Sequence, residues 1–342
     1  MTRYEEICSN LADRTSRWVV TGAAGFIGSH LVERLLGLGQ QVTGLDSFLS
    51  GSQANIDEAV RSSSGRSSNF RLIRGDIRDM EACREACDGA DFVLHQAALV
   101  SVPRSFEDPD LNNSCNVTGF LNMLIASRDA GVRSFIFASS AAVYGEQPQG
   151  AIREDSPLAP LSPYAVAKRT DELYSNVLSS GMKSVGLRYM NAYGPRQDPS
   201  SPYSGVISIW MDRFLKGDIP VIYGDGKTTR DFVFAGDIVQ ANILAALSDP
   251  GGSGRENIFN IGTGIPTTIE SLLNFLKDII GKHRSGSGEV RAKYMPERHG
   301  DIRHSQADIS LARKILGYEP RYSLADGLDI TVKSFLKGPN GD

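Results

Sequence analysis

The sequence predicts an α/β fold, with a doubly wound parallel sheet followed by a smaller α/β lobe towards the C-terminus. Two observations carry this prediction. Short apolar strands alternate with helices of amphipathic spacing up to about residue 190. Beyond that point the alternation loosens, and glycine and proline become more frequent. We therefore expect the first part of the chain to form most of the sheet and the second part to form the lobe.

The composition is that of an ordinary globular protein and excludes several classes. Hydrophobic residues make up 41% of the 342 residues, charged residues 22%, and the net charge of −4 offers no overall attraction to nucleic acid. No stretch resembles a signal peptide or approaches the roughly 20 apolar residues of a membrane span. We expect a cytoplasmic protein with no nucleic-acid, membrane or metal partner. The cysteines, which suggest no disulfide framework, are Cys8, Cys83, Cys87 and Cys115.

The first predicted strand, residues 17–21, leads directly into Gly22-x-x-Gly25-x-x-Gly28 and an amphipathic helix. Glycines at this spacing permit a tight turn and the close approach of a pyrophosphate to the helix N-terminus. Backbone amides and the helix dipole favour an anion there. A strand, glycine turn and helix in this order are typical of a dinucleotide-binding unit.

The second predicted strand, residues 41–45, is followed by Asp46. An acidic residue at this distance from the glycine turn accepts hydrogen bonds from the adenosine ribose. Ser47 and Phe48 come next, so neither Arg nor Lys is available there to pair with a 2′-phosphate. The pattern therefore favours NAD over NADP.

The ends of the later strands carry polar or small residues. Because the carboxyl ends of parallel strands meet at one edge of the sheet, we expect Gln96 and Ser140 to join the glycine turn and Asp46 in one site. His95 lies within an apolar strand, and we expect it to be structural. The later strands are predicted at residues 70–73, 91–95, 134–138 and 186–189.

Tyr164 and Lys168 are four residues apart in a predicted helix, so they lie on one face, one turn apart. An ammonium group close to a phenol stabilises the phenolate and lowers the pKa of the phenol, which suits a tyrosine to act as a general base. Ser140 is placed to orient a substrate alcohol. The three residues indicate oxidation of a carbinol, with proton removal as hydride leaves.

These features resemble the extended short-chain dehydrogenase/reductase family from about residue 17 to about residue 330. Within it, the sequence is most similar to the nucleotide-sugar 4-epimerases, particularly the bacterial UDP-N-acetylglucosamine 4-epimerases of surface-polysaccharide pathways. Three further passages carry this resemblance: residues 95–105 (HQAALVSVPRS), 194–199 (GPRQDP) and 300–305 (GDIRHS).

The resemblance implies NAD-dependent C4 epimerisation of a UDP-sugar through a transient 4-keto sugar. Tyr164 would be the base, Lys168 would favour its ionised form and anchor the nicotinamide ribose, and Ser140 would orient the 4-hydroxyl. The resemblance also implies a homodimer formed through helices around residues 113–129 and 163–178.

Further contacts are implied by the resemblance, position by position. The cofactor-binding residues would be Gly22, Gly25, Phe26, Ile27, Gly28, Asp46, Ser47, Gly51, Asp76, Ile77, Gln96, Ala97, Ala98, Asn116, Tyr164, Lys168 and Tyr189. The substrate-binding residues would be Ser101, Val102, Ser140, Asn191, Val206, Tyr223, Arg230, Arg298, Asp301 and Ser305.

The sequence departs from the family pattern beside the serine and in the sugar pocket. Ala141 and Ala142 stand where Ser or Thr is often found, which leaves Ser140 as the main orienting hydroxyl. Val100 stands where some glucose-type epimerases have Lys, so sugar contacts must come from elsewhere.

The residue at the position of Ser305 lines the sugar pocket in this family, and a small side chain leaves room for an N-acetyl group. We therefore expect interconversion of UDP-GlcNAc and UDP-GalNAc. UDP-hexuronic acids and UDP-glucose/galactose are alternative substrates. A dehydratase or decarboxylase would need a carboxylate beside Ser140, where the chain has alanine. An NAD-binding regulator without turnover is the alternative from another class, but it would have no need for Tyr164 and Lys168.

The predicted lobes can be assigned to the two ligands. We expect residues 1–190 to form a Rossmann-like NAD-binding domain, to which residues 237–262 return. Residues 191–236 and 263–342 would form the nucleotide-sugar-binding lobe.

Overall fold

A seven-stranded parallel sheet lies at the centre of the computed structural model, which describes residues 1–63, 65–198, 205–248, 257–283, 292–297 and 302–337. The strands are β1 (Arg17–Thr21), β2 (Gln41–Asp46), β3 (Phe70–Arg74), β4 (Phe92–His95), β5 (Ser134–Ser140), β6 (Lys183–Tyr189), β7 (Asn191–Tyr193), β8 (Val221–Tyr223), β9 (Thr229–Phe234), β10 (Ile258–Ile261), β11 (Pro266–Thr268) and β12 (Lys293–Met295).

Helices connect these strands. They are α1 (Arg3–Asp13), α2 (Phe26–Gly37), α3 (Gln53–Arg61), α4 (Met80–Cys87), α5 (Val102–Glu107), α6 (Pro109–Asn113), α7 (Gly119–Asp129), α8 (Pro163–Leu178), α9 (Val206–Lys216), α10 (Ala235–Leu247), α11 (Ile269–His283), α12 (Ser310–Leu316) and α13 (Leu324–Lys337). Ser114–Thr118 is π-helical, and Ser67–Asn69 and Ala141–Tyr144 are short 3₁₀ turns.

The strand order of the large sheet is β3-β2-β1-β4-β5-β6-β10, and each neighbouring pair is parallel. The order reverses between β1 and β4, and ligands of open parallel sheets bind at the carboxyl edge beside such a reversal. The predicted doubly wound α/β fold is confirmed.

Both faces of this sheet are buried, as its apolar strands require. Successive side chains of a strand point to opposite faces, so Trp18 and Val20 enter one apolar core and Val19 enters the other. Helix α2 packs its Leu31 and Leu35 into the first core, and α7 packs Phe120 and Met123 into the second. The sheet is therefore rigid from both sides, which holds its carboxyl edge in place.

Two small sheets and a third apolar core build the second lobe. β9 pairs in parallel with β7 and antiparallel with β11, while β8 pairs in parallel with β12. The third core contains Trp210 of α9, Leu272 and Leu276 of α11, and Leu328 of α13. β10 lies in the large sheet beside β6.

Two segments differ from what their residues favour, and a third is helical in an unusual way. The charged residues before β1 form α1, which a capping box between Thr2 and Glu5 begins. The glycines and charges of residues 224–232 favour loops, yet β9 begins within this stretch at Thr229. The apolar spacing of residues 116–124 predicts a helix, which is present, but its residues up to Thr118 are π-helical. Within the described ranges, none of the helices has the length and apolarity needed to cross a membrane.

Candidate active site

The carboxyl edge of the large sheet gathers most of the residues predicted for the site. β1 leads into the glycine turn, and β2 ends at Asp46. β4 leads into Gln96, β5 ends at Ser140, and β6 ends at Tyr189. The parallel pairing brings these strand ends together along one crevice.

The glycine turn is too tight for side chains. Gly22 has a φ of +66°, and a Cβ there would lie 2.9 Å from the Ala97 nitrogen. A Cβ on Gly28 would lie 2.0 Å from the Gly22 carbonyl oxygen. Helix α2 therefore begins close against the turn. Its N-cap, Gly25, has no side chain to cap the first amides, so the amides of Phe26 and Ile27 suit a pyrophosphate.

Asp46 braces the turn from the second strand. Its Oδ2 accepts a hydrogen bond of 2.8 Å from the Ala24 amide, and its Oδ1 accepts one of 2.7 Å from the Phe48 amide. Burial raises the pKa of the Asp46 carboxyl, and the two amide donors oppose that effect. Each carboxylate oxygen has two lone pairs, so both can still accept from a ribose hydroxyl. Ser47 and Gly51 follow along the same loop.

Together, the glycine turn and Asp46 fit NAD. The turn has glycines where a side chain would collide with the backbone, the helix N-terminus after it is uncapped, and a carboxylate holds the neighbouring loop. Asp76, also predicted for the cofactor, follows β3 and forms an ion pair with Arg78 at 2.7 Å. Hydrogen bonds from Arg78 hold the pKa of the Asp76 carboxyl below its usual value.

Thr21, which the sequence reading missed, fixes the loop after β4. Its hydroxyl oxygen accepts hydrogen bonds from the Gln96 amide at 3.2 Å and the Ala97 amide at 3.1 Å. The Thr21 hydroxyl can then donate its own hydrogen bond to His95 Nδ1, which lies 2.9 Å away. Burial, followed by the charge of Lys168, lowers the pKa of His95 to about 3, so the ring is neutral. His95 stacks on Phe135 and therefore has the structural position that was expected.

A second network joins Gln96 to β6 and to α10. Tyr189 donates to Gln96 Oε1 at 3.1 Å, while Asn242 Nδ2 donates to the Tyr189 hydroxyl at 2.8 Å. Gln96 Nε2 donates to Asn242 Oδ1 at 3.0 Å, which closes the ring. Burial raises the pKa of Tyr189 well above its ordinary value, so it stays a neutral donor. Asn242 had not been singled out, because it lies in an apolar helix.

Asn116 lies in the π-helical stretch and is committed to the loop that follows Ala97 and Ala98. Its Oδ1 accepts from the Leu99 amide at 2.7 Å, and its Nδ2 donates to the Leu99 carbonyl at 3.2 Å. A further bond of 2.9 Å runs from Nδ2 to Asn112. The Asn116 side chain therefore fixes the backbone of the loop at Leu99.

Ser140 and the Tyr164–Lys168 pair lie on two elements that contact each other, β5 and α8. Ser140 is the last residue of β5, and its Oγ accepts from the Ala142 amide at 3.1 Å. Helix α8 begins just before Tyr164, where Ser162 Oγ caps the Ala165 amide at 3.1 Å. Tyr164 is 8% exposed and Lys168 2%. Both therefore act in a largely desolvated site, in which charge interactions are strong.

A buried ion network anchors α8 to the sheet directly behind Ser140. Glu172 accepts hydrogen bonds from Ser139 Oγ at 2.6 Å and from Arg188 Nε and Nη2 at 2.8 Å each. Although burial disfavours its charge, hydrogen bonds from Arg188 hold the pKa of Glu172 below its usual value. Arg188 also donates to the Tyr144 hydroxyl at 2.8 Å. These bonds connect α8, β5, β6 and the 3₁₀ turn next to Ser140.

The predicted substrate residues of the second lobe lie on neighbouring segments. Asn191 Nδ2 donates to the Asp231 carbonyl at 3.4 Å, and Arg230 donates to the Ile302 carbonyl. Ser305 is 8% exposed on the segment that β9 contacts. The Asp231 carboxylate accepts from the amides of Thr263, Gly264 and Ala307 and from the Thr263 hydroxyl, at 2.7–3.1 Å.

The other predicted substrate residues are placed as follows. Ser101 Oγ caps α5 through the Arg104 amide at 3.1 Å, and Val102 is the first residue of that helix. Val206 begins α9 and packs against the third core, and Tyr223 ends β8. Arg298 and Asp301 lie outside the described residues. These assignments stay predictions.

The fold and this site define a class, the NAD-binding enzymes of doubly wound topology with a Tyr-x-x-x-Lys pair. Residues 18–262 match the NAD dependent epimerase/dehydratase family. The chain belongs to this family.

Similar proteins cover almost the whole chain. The "UDP-glucose 4-epimerase" of Mycolicibacterium smegmatis is 38% identical over 93% of this chain and 98% of its own length. The structure of a UDP-N-acetylglucosamine 4-epimerase from Methanobrevibacter ruminantium, in complex with UDP-N-acetylmuramic acid, is 37% identical over 95% of this chain and 99% of its own, with a TM-score of 0.86. The Thermus thermophilus UDP-glucose 4-epimerase, in complex with NAD, is 36% identical over 94% and 99%, with a TM-score of 0.80. The predictions of family, enzyme class and cofactor are confirmed.

Proposed function

We propose that this protein is an NAD-dependent UDP-sugar 4-epimerase that interconverts UDP-GlcNAc and UDP-GalNAc, and that it acts in the cytoplasm as a homodimer. The observation that carries the reaction type is the site around Ser140. Ser140 ends β5, which contacts the helix α8 that carries the buried Tyr164–Lys168 pair. The 3₁₀ turn after Ser140 contributes only Ala141, Ala142 and other uncharged side chains. A dehydratase would need a carboxylic acid at this turn to protonate a leaving hydroxyl.

The proton chemistry falls to three residues. Tyr164 removes the proton of the sugar 4-hydroxyl, and the Lys168 ammonium stabilises the phenolate that this requires. Ser140 holds the 4-oxygen by a hydrogen bond. When bound, NAD supplies a reversible hydride acceptor for C4.

Epimerisation requires that the 4-keto sugar offer its opposite face before it is reduced again. Tyr164 keeps the proton during this interval and returns it to the 4-oxygen, so the protein leaves the cycle unchanged. The buried position of Tyr164 and Lys168 limits exchange of that proton with water.

The substrate proposal depends on the size of one side chain. Ser305 is small, so it leaves room for the N-acetyl group of UDP-GlcNAc or UDP-GalNAc. The similar enzyme crystallised with UDP-N-acetylmuramic acid, another N-acetylated sugar, supports this choice. UDP-glucose/galactose is the second candidate, because the M. smegmatis relative carries the name of a UDP-glucose epimerase.

The two lobes divide the ligands in this proposal. Residues 1–190 with 237–262 hold NAD, and residues 191–236 with 263–342 hold the nucleotide sugar. Asn191 and Arg230 bind the diphosphate and uridine, with Arg298 and Asp301 as the further matches.

The proposal is tested by incubating the purified protein with UDP-GlcNAc and, separately, with UDP-GalNAc, without added NAD. We expect NMR to show each sugar converting into the other, because the cofactor is recycled within each turnover. UDP-glucose and UDP-glucuronate are run in parallel. Faster turnover of either one than of both N-acetylated sugars would overturn the substrate assignment.

The matched control is Tyr164→Phe, which keeps the ring and removes the hydroxyl. We expect it to lose interconversion while still binding NAD. Normal turnover by this variant would refute the assignment of Tyr164 as the base.

A further inference from the structure

Asp171 is a buried acid that the proposed reaction does not use. It lies on α8, seven residues after Tyr164 and three after Lys168, so the three side chains share one face of the helix. Asp171 has 0% of its surface exposed. An ionisable group placed so close to the catalytic pair, and so far from water, affects the charge balance there.

Within the described residues, the carboxyl group of Asp171 has one oppositely charged neighbour, Lys168, and no hydrogen bonds. Lys168 Nζ lies 3.6 Å from Oδ2, beyond hydrogen-bonding distance. Neither oxygen has a hydrogen-bond partner within the part of the chain that the structure describes. Among the described residues, Lys168 alone would therefore compensate a carboxylate in this position.

The other charged or titratable groups around Asp171 are already accounted for. Glu172, the next residue, disfavours a second negative charge and is itself bound by Arg188 of β6. His95 of β4, whose pKa is lowered by burial and by the charge of Lys168, is neutral. Among these described groups, none replaces Lys168 as a partner for a carboxylate.

Burying an ionised carboxyl without hydrogen bonds is costly, so the group tends to keep its proton. Burial raises the pKa of Asp171 to about 8, although Lys168 opposes this. At neutral pH the neutral form is therefore populated. Lys168 then has its charge available for another anion.

That other anion is the Tyr164 phenolate. One buried ammonium compensates one negative charge, so ionisation of Asp171 and ionisation of Tyr164 compete. We propose that Asp171 is a positioning residue of the catalytic site, which competes with Tyr164 for the charge of Lys168 and allows the phenolate to form fully only while it keeps its own proton.

This inference rests on the proposed role of Tyr164 as the base. It predicts that Asp171→Asn, which keeps the shape and removes the titration, enlarges the phenolate fraction near pH 8 and above, where wild-type Asp171 begins to ionise. The upper part of the acid limb in the profile of kcat against pH is then expected to move to lower pH by about one unit, the smaller end of the effect of a charge at this distance. Well below pH 8 wild-type Asp171 already holds its proton, so the two profiles converge there.

The experiment measures kcat against pH for the wild type, Asp171→Asn and Asp171→Ala. Asp171→Ala removes the same proton without adding an amide, so its limb must move in the same direction. Asp13→Asn, at the exposed end of α1, is the charge-matched control and keeps the wild-type limb. Superimposed limbs for the wild type and both Asp171 variants, or limbs moved to higher pH, would overturn the inference.

A second measurement is independent of turnover. The tyrosinate absorbance of the NAD-loaded protein is titrated with pH, and the titration of the Tyr164→Phe variant is subtracted to isolate Tyr164. The midpoint is expected to fall in Asp171→Asn, and an unchanged midpoint refutes the competition. If no UDP-sugar is epimerised, the proposed function fails, yet this titration still decides the role of Asp171.

Discussion

At the scale of single residues, the proposed substrate depends on Ser305. The side chain is 8% exposed beside β9, so a larger group there would displace its surroundings. We predict that Ser305→Tyr lowers kcat/KM for UDP-GlcNAc at least about tenfold more than kcat/KM for UDP-glucose, a difference of ~1.4 kcal/mol in transition-state binding.

The matched variant is Ser305→Ala, which stays small and should keep the wild-type ratio of the two substrates. Steady-state kinetics on both UDP-sugars provides the measurement. Equal losses on both substrates in Ser305→Tyr would show that the residue does not set the room for the N-acetyl group.

Some of the residues discussed above can be predicted from the local sequence around them, and others cannot. Gly22, Asp46 and Tyr164 stand in short motifs whose spacing carries the chemistry, so the sequence alone singles them out. Thr21 and Asn242 act through hydrogen bonds to residues 75 and 53 positions away in the chain, respectively. Such long-range partners leave no local pattern. They become visible only when the strands are placed side by side.

At the scale of elements, charged residues misled the prediction of one strand. Arg230 and Asp231 follow a Gly-rich stretch, a pattern that favours a loop, yet they belong to β9. In the fold, the Asp231 carboxylate is buried and accepts hydrogen bonds from Thr263, Gly264 and Ala307. An acidic residue with internal donors behaves as part of a core. The start of α1 can be predicted from the sequence, because Thr2 and Glu5 have the spacing of a capping box.

Helix α8 depends on one buried charge, that of Glu172. Glu172 ties the helix to β5 and β6, and its removal would leave the Arg188 guanidinium without its hydrogen-bonded carboxylate. We predict that Glu172→Gln lowers the free energy of unfolding by about 3–5 kcal/mol at pH 7. Because the loss displaces the end of β5, kcat should fall as well. Urea unfolding followed by circular dichroism measures the first effect.

The pH dependence of this effect has a definite sign. The folded pKa of Glu172 lies below its ordinary value of 4.5, so its stabilisation is complete above that pH and is lost as pH falls through the folded pKa. The difference between wild type and Glu172→Gln should therefore narrow in acid. Glu81→Gln, which removes an exposed pair with Arg84, should change stability by less than about 1 kcal/mol. A comparable loss in both variants would contradict the prediction.

At the scale of the whole molecule, α8 has two working faces. Its inner face carries Tyr164, Lys168 and Glu172. Its outer face exposes Val166, Leu173 and Val177, with 51%, 49% and 72% of their surfaces accessible. Leu173 and Val177 lie one turn apart on this face, and Val166 lies two turns before Leu173. Such an apolar stripe on a helix is typical of a surface that a partner covers.

We therefore predict that a second copy of the chain covers this stripe and that the double change Leu173→Arg and Val177→Arg yields a monomer. Two arginines in an apolar interface repel their symmetry mates and lose hydration, while on an exposed face they do not disturb the fold. Sedimentation velocity at micromolar concentration distinguishes the two states. Ile219→Arg, at an exposed apolar position of the second lobe, is the control and should stay dimeric. A monomeric wild type would contradict the homodimer, whereas a double variant that stays dimeric would place the interface elsewhere than on this face of α8.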